Sequence, residues 1–175
     1  MRECKNMNDM QKLQAELDRV IIEVKKIPAE KITPNGSLES AIAETVEFIE
    51  ESPDTYKVWK DKTKDFSEIR MKKELIDVLF FLVQYANRVD WKLNQDWEYL
   101  WELNKDCRCD NLLNMTLWLQ SKISGKEVYQ ALSIWVCIAQ NLGLSKEDVY
   151  DLYLEKWEFN LQRNTTKIEN GGWRK

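Results

Sequence analysis

From Leu75 to Val83 the chain reads LIDVLFFLV, apolar at every position except Asp77. A helix that is apolar nearly all round is a buried helix. A lone buried carboxylate is costly unless it is paired, hydrogen-bonded or bound to a metal. The pattern around this run predicts a helix from about Ser67 to Arg88. Other segments are amphipathic. Leu13, Leu17, Val20, Ile21 and Val24 recur at helical spacing and predict a first helix over about Asn8 to Lys26. IPAEKITPNGS interrupts the pattern, and Ser37 is then the expected N-cap of a second helix, SLESAIAETVEFIEE. Its expected inner stripe is Ile42, Val46 and Ile49, with Glu44, Glu47 and Glu51 opposite and Pro53 as the stop.

A polar connection, PDTYKVWKDKTKDFS, leads into the Asp77 helix. Beyond it, two shorter helices are predicted between about Gln95 and Ile123, parted by a turn at CRCDN. SGKEVYQALSIWVCIAQNLG predicts a further helix stopped by Gly143. The last helix is expected to start at Ser145, with Asp148 three residues on as in a capping box. The tail TTKIENGGWRK is polar and is predicted to be mobile unless a ligand orders it. Only five Gly and three Pro occur in 175 residues, so helix breakers are scarce. The expected fold is all-α, a bundle of about five to seven helices with the active site between core helices. One domain spans residues 1–175, with about 90–125 as a helical insertion.

The formal net charge of −4 does not suggest a general nucleic-acid binder. No signal peptide opens the chain, and no apolar run approaches the ~20 residues a bilayer span needs. A soluble, cytoplasmic protein is expected, in the host cytoplasm if the chain is phage-encoded. Cys4, Cys107, Cys109 and Cys137 lack zinc-knuckle spacing and are expected to be free structural thiols. The chain has no histidine, which excludes a Ser-His or Cys-His nucleophile. Acids, bases and metal ligands must then come largely from carboxylates, which suit hard cations such as magnesium.

Four patches carry candidate chemistry. Glu44 and Glu47 form E-T-V-E; Glu74 and Asp77 form E-L-I-D. Taken alone, the first pair reads as a solvated acidic face. The second resists that reading, because Asp77 is embedded in apolar sequence. Carboxylates this close repel unless a cation lies between them. If their helices pack antiparallel, the four converge as in metal sites built inside helical bundles. Tyr153, Lys156, Asn160 and Arg163 form one stripe of the last helix. By itself such a stripe only solvates a surface; beside magnesium-binding acids it offers charge-assisted donors for a polyphosphate. Gln14 and Asp18 share a face one turn apart. Solvent exposure is the simpler reading of that pair; with the other patches it offers donors and acceptors to a base edge. In Y-K-V-W-K, Trp59 is either a packing aromatic or a ring against a base or sugar, and Lys57 and Lys60 are expected to reach phosphates from a mobile loop.

Together these patches resemble the dimeric all-α dUTPases and the related phage dCTP/dUTP pyrophosphatases, within the wider all-α group that includes MazG-type enzymes. The resemblance runs from L-Q-A-E-L-D near the start to the final helix. It is carried by ExxE then ExxD (Glu44, Glu47, Glu74, Asp77), by ELIDVLFFL with Phe80 where His is frequent, and by YLEKWEFNLQRN. In the last, Asn164 stands where Gln is common.

The resemblance implies magnesium-dependent hydrolysis of dUTP to dUMP and pyrophosphate, with manganese as a substitute metal. The four acids would hold magnesium, and Glu44, ahead of Glu47, would take the proton of the attacking water. Tyr153, Lys156, Arg163 and Lys60 would bind phosphates. Gln14, Asp18, Asn160 and Trp59 would line the base and sugar end. A homodimer with a nucleoside triphosphate substrate, and neither nucleic acid nor membrane as partner, is expected. Uracil and cytosine differ at position 4, and an amide such as Gln14 or Asn160 can turn to suit either. A dCTP or dual dCTP/dUTP pyrophosphatase is therefore the alternative, then a MazG-like enzyme of other base preference. The rival from another class is a non-catalytic helical interaction protein using some of the eight Trp as contacts.

Overall fold

A computed structural model describes residues 3–52, 67–108 and 110–169. Among them are seven α-helices: α1 Met7–Lys25, α2 Pro34–Glu50, α3 Glu68–Arg88, α4 Asn94–Leu103, α5 Leu112–Ser124, α6 Val128–Asn141 and α7 Lys146–Glu169. One 3-10 turn, Ala29–Lys31, precedes α2, and no strand occurs among the described residues. The all-α bundle is thus the observed fold. No described helix is long and apolar enough to cross a membrane.

The starts follow side-chain chemistry. Asn6 caps α1 by accepting from the Asp9 amide at 3.0 Å, and Ser67 caps α3 by accepting from that of Arg70. At α7 the Ser145 amide donates to Asp148 at 2.8 Å while the Asp148 amide donates to Ser145 Oγ at 3.1 Å, the reciprocal pair expected. Gly143, at φ +72°, supplies the left-handed turn that separates α6 from α7.

Other expectations are corrected. α2 starts three residues early, because Thr33 accepts from the Gly36 amide at 3.0 Å and Pro34 fits the first helical position. Ser37 lies inside the helix and is buried. Of the expected inner stripe of α2, Ile49 is buried and Ile42 packs partly buried against the core, but Val46 is 37% exposed, and Leu38, Ala41, Thr45 and Phe48 complete the inner face. Helix α7 continues through Glu169, so Thr165 to Glu169, the first part of the expected tail, is helical. Cys107 and Cys137 form a disulfide with their Cα atoms 5.8 Å apart, so two of the four thiols expected to be free are not. Cys4 is a free, buried thiol whose pKa burial pushes up to about 12. Cys109 lies outside the described residues.

Helix α3 is the axis of the core, with Leu75, Val78, Leu79, Leu82, Val83 and Ala86 wholly buried. Helix α2 packs along it antiparallel. Ser37, near the start of α2, bonds Gln84 near the end of α3, and Glu51 at the end of α2 pairs with Arg70 at the start of α3. The α5–α6 pair packs on both, α5 on α2 and α6 on α3. There Gln120 donates to Thr45 of α2, and the Trp135 indole donates to the Leu75 carbonyl of α3 at 2.8 Å. Helix α7 leans chiefly on α1, where the Trp157 indole donates to the Leu13 carbonyl. Trp97, Trp135 and Trp157 are buried, and among the described tryptophans only Trp118 is exposed.

Candidate active site

Because α2 and α3 run antiparallel, ExxE and ExxD come face to face. Ligand oxygens of Glu44, Glu74 and Asp77 lie within 4.8 Å of one another. Glu47 lines the same pocket, of about 330 Å³, but stands outside that triad. Helix α7 closes the pocket with Lys156, Asn160 and Arg163, and α3 adds Phe80 and Phe81. The structure therefore brings together all four acids and three members of the α7 stripe.

Crowding shows in the electrostatics. Burial first, then Asp77, Glu47 and Glu74, raise the Glu44 pKa to about 7. Glu74 is raised by burial and by Asp77. Asp77 is raised chiefly by burial, although the Lys156 ammonium donates to its Oδ2 and pulls the other way. The buried carboxylate of the apolar run thus faces a lysine from another helix. Three hard oxygen donors from two helices, each held toward its protonated form by its surroundings, form a set that a divalent cation would neutralise. The Asn160 Oδ1 is buried with no hydrogen-bond partner, an acceptor at the pocket wall that lacks a donor.

The remaining expected residues sit deeper. Gln14 and Asp18 are each 3% exposed, which removes the solvent-exposed reading of that pair. Asp18 Oδ1 accepts from Gln14 Nε2 at 2.8 Å and from Gln84 Nε2 at 2.7 Å, while Oδ2 pairs with Arg88 at 2.9 Å. Gln84 Oε1 accepts from Ser37 at 2.8 Å, and Gln14 Oε1 accepts from the Tyr153 hydroxyl at 2.9 Å. A carboxylate can only accept, so Asp18 turns both glutamine amides the same way. Gln14 is consequently not free to rotate, contrary to the sequence expectation. Tyr153 is fully buried, stacks on Phe80 with ring centroids 4.1 Å apart, and commits its hydroxyl hydrogen to Gln14. It is not among the residues lining the acidic pocket. Trp59 and Lys60, with Lys57, lie outside the described residues.

Sequence reasoning missed Gln84, Arg88 and Ser37. A signal existed for the first two: they follow Asp77 by 7 and 11 positions, which keeps all three on one stripe of α3.

A family model described as dUTPase matches residues 6–167, from the cap of α1 nearly to the end of α7. No curated protein matches the chain. With acids from two antiparallel helices meeting a cationic row from a third, and with that match over most of its length, the chain belongs to the all-α dUTPase family, enzymes of the nucleoside triphosphate pyrophosphatase type.

Proposed function

We propose that this protein hydrolyses dUTP to dUMP and pyrophosphate with magnesium, as a cytoplasmic homodimer. The observation that carries the proposal is the meeting of Glu44, Glu74 and Asp77 within 4.8 Å, walled by Lys156, Asn160 and Arg163. Glu44, Glu74 and Asp77 would hold magnesium, with Glu47 lining the same pocket as a fourth carboxylate, and the ion would supply positive charge to the phosphoryl oxygens. Glu44 accepts the proton of the attacking water. Lys156 and Arg163 bind phosphate oxygens, the first as a point charge and the second as a fork. Asn160 gives its unpartnered oxygen to a donor on the base or sugar.

Tyr153, Gln14 and Asp18 take a different part from the one expected of them. Their polar atoms are committed to one another, so they position α7 and Asn160 rather than bind phosphate or base. Three of the six described tryptophans are buried and two half-buried, which weighs against an interaction protein that displays them.

Turnover tests the proposal. Purified protein with magnesium should convert dUTP to dUMP and pyrophosphate, faster than dCTP, dTTP, dATP or dGTP. Asp77→Asn should abolish conversion and Glu47→Gln should lower it, and full activity in Asp77→Asn refutes the metal-site assignment. Light scattering should give twice the 20.9 kDa chain mass.

A further inference from the structure

The Lys156 ammonium reaches from α7 onto Asp77 Oδ2, inside the same carboxylate group that is the proposed metal site. The Asp77 side chain is 9% exposed and that of Lys156 30%, so the pair is partly desolvated and its attraction is only weakly screened. The lysine stem also borders a small hollow. Ile76, Leu152 and Phe159 share a small pocket of about 210 Å³ with it, while its neighbour Lys73 is committed to Glu155 at 2.6 Å.

A divalent ion held by Glu44, Glu74 and Asp77 would sit a few ångströms from this ammonium. Charges of like sign that close repel strongly in a partly buried site. Asp77 cannot fully serve both. We infer that Lys156 is a surrogate cation: it occupies Asp77 until a nucleoside triphosphate arrives, then passes its ammonium to the phosphate oxygens and frees Asp77 for the metal. This inference rests on the reading of the site as a metal and triphosphate site. Its consequence is coupling. Magnesium alone binds weakly, and triphosphate and magnesium each strengthen the binding of the other by the same factor. The enzyme then assembles its metal site only around a nucleotide.

Calorimetric titration with magnesium alone, at pH 8, tests this without turnover. Lys156→Met preserves most of the stem and removes the charge. It should bind magnesium about five- to tenfold more tightly than the wild type. A non-hydrolysable dUTP analogue should raise magnesium affinity strongly in the wild type and much less in the variant. Lys156→Arg, which keeps the charge, should keep weak magnesium binding, and Lys73→Met should titrate like the wild type. Lys156→Gln repeats the measurement if circular dichroism shows the Met variant unfolded. Equal or weaker magnesium binding in a folded, uncharged variant overturns the inference. Absence of turnover by the wild type on all five nucleotides would instead sink the proposed function, and the magnesium titrations would remain readable.

Discussion

Asn160 and Tyr153 lie seven residues apart on one helix, yet their oxygens are in opposite conditions. The Tyr153 hydroxyl has its partner; the Asn160 Oδ1 has none. Truncating each should therefore fail differently. Asn160→Ala removes a buried acceptor already without a partner, so stability should change little. If substrate supplies the missing donor, kcat/KM for dUTP should fall about ten- to hundredfold, the equivalent of one hydrogen bond of roughly 1–3 kcal/mol. Tyr153→Phe leaves Gln14 Oε1 buried and unpaired, which should cost roughly 1–3 kcal/mol in chemical denaturation. Magnesium affinity should be unchanged, because the carboxylates are untouched. The opposite pattern, a destabilised Asn160→Ala and an unaffected Tyr153→Phe, would reverse the two roles. At this scale the sequence exposed the charged chemistry well. Asp77 stood out because nothing polar surrounds it in the chain. The direction of an amide did not, since Gln14 is fixed by Tyr153, 139 positions away, and by an aspartate whose own orientation depends on α3.

Helices α4, α5 and α6 carry a constraint with no counterpart elsewhere among the described residues. The Cys107–Cys137 bridge ties the α4–α5 connection to α6 across a sequence separation of 30. A loop of that length is worth about 3–4 kcal/mol in the chain-entropy account, by restricting the unfolded ensemble. Reduction with a phosphine, or Cys137→Ser, should lower the thermal midpoint by a corresponding amount. An unchanged midpoint after reduction would show that the link contributes nothing. The hydrogen bonds from Asn141 to the Cys107 and Cys137 carbonyls, from Gln140 to the Trp101 carbonyl and from Asn104 to Ser133 would then be holding the segments. Element existence was legible throughout, because a 3.6-residue pattern survives in every helix. Boundaries were less so. Thr33 and Ser37 are both able caps, and the sequence does not say that Ser37 is needed inside, for Gln84. Nor can a polar stretch such as Thr165 to Glu169 announce that it extends a long helix whose earlier turns pack on α1. The disulfide was missed because cysteine spacing carries no distance.

For the whole molecule the acidic cluster is a strain on folding that a metal would relieve. Glu44 titrates near 4.5 in an unfolded chain and near 7 when folded, and Glu74 and Asp77 are shifted upward too. An acid whose folded pKa is raised binds more protons folded than unfolded, so its contribution to stability is complete below about pH 4.5. It is lost as pH rises through about 7. Metal-free protein should therefore show a falling thermal midpoint from pH 5 to pH 8. Magnesium acts with the opposite slope, since its ligands must be deprotonated to bind. At a hundredfold excess over its dissociation constant it adds about 2.7 kcal/mol to the folded state. The two curves should converge toward pH 5 and separate toward pH 8, with a larger gap when a triphosphate analogue is present. Asp77→Asn should flatten both effects at once, because it removes one charge from the cluster and one ligand from the ion. Parallel curves across that range would mean that the acids tolerate one another without a cation, and that magnesium binds elsewhere on the chain.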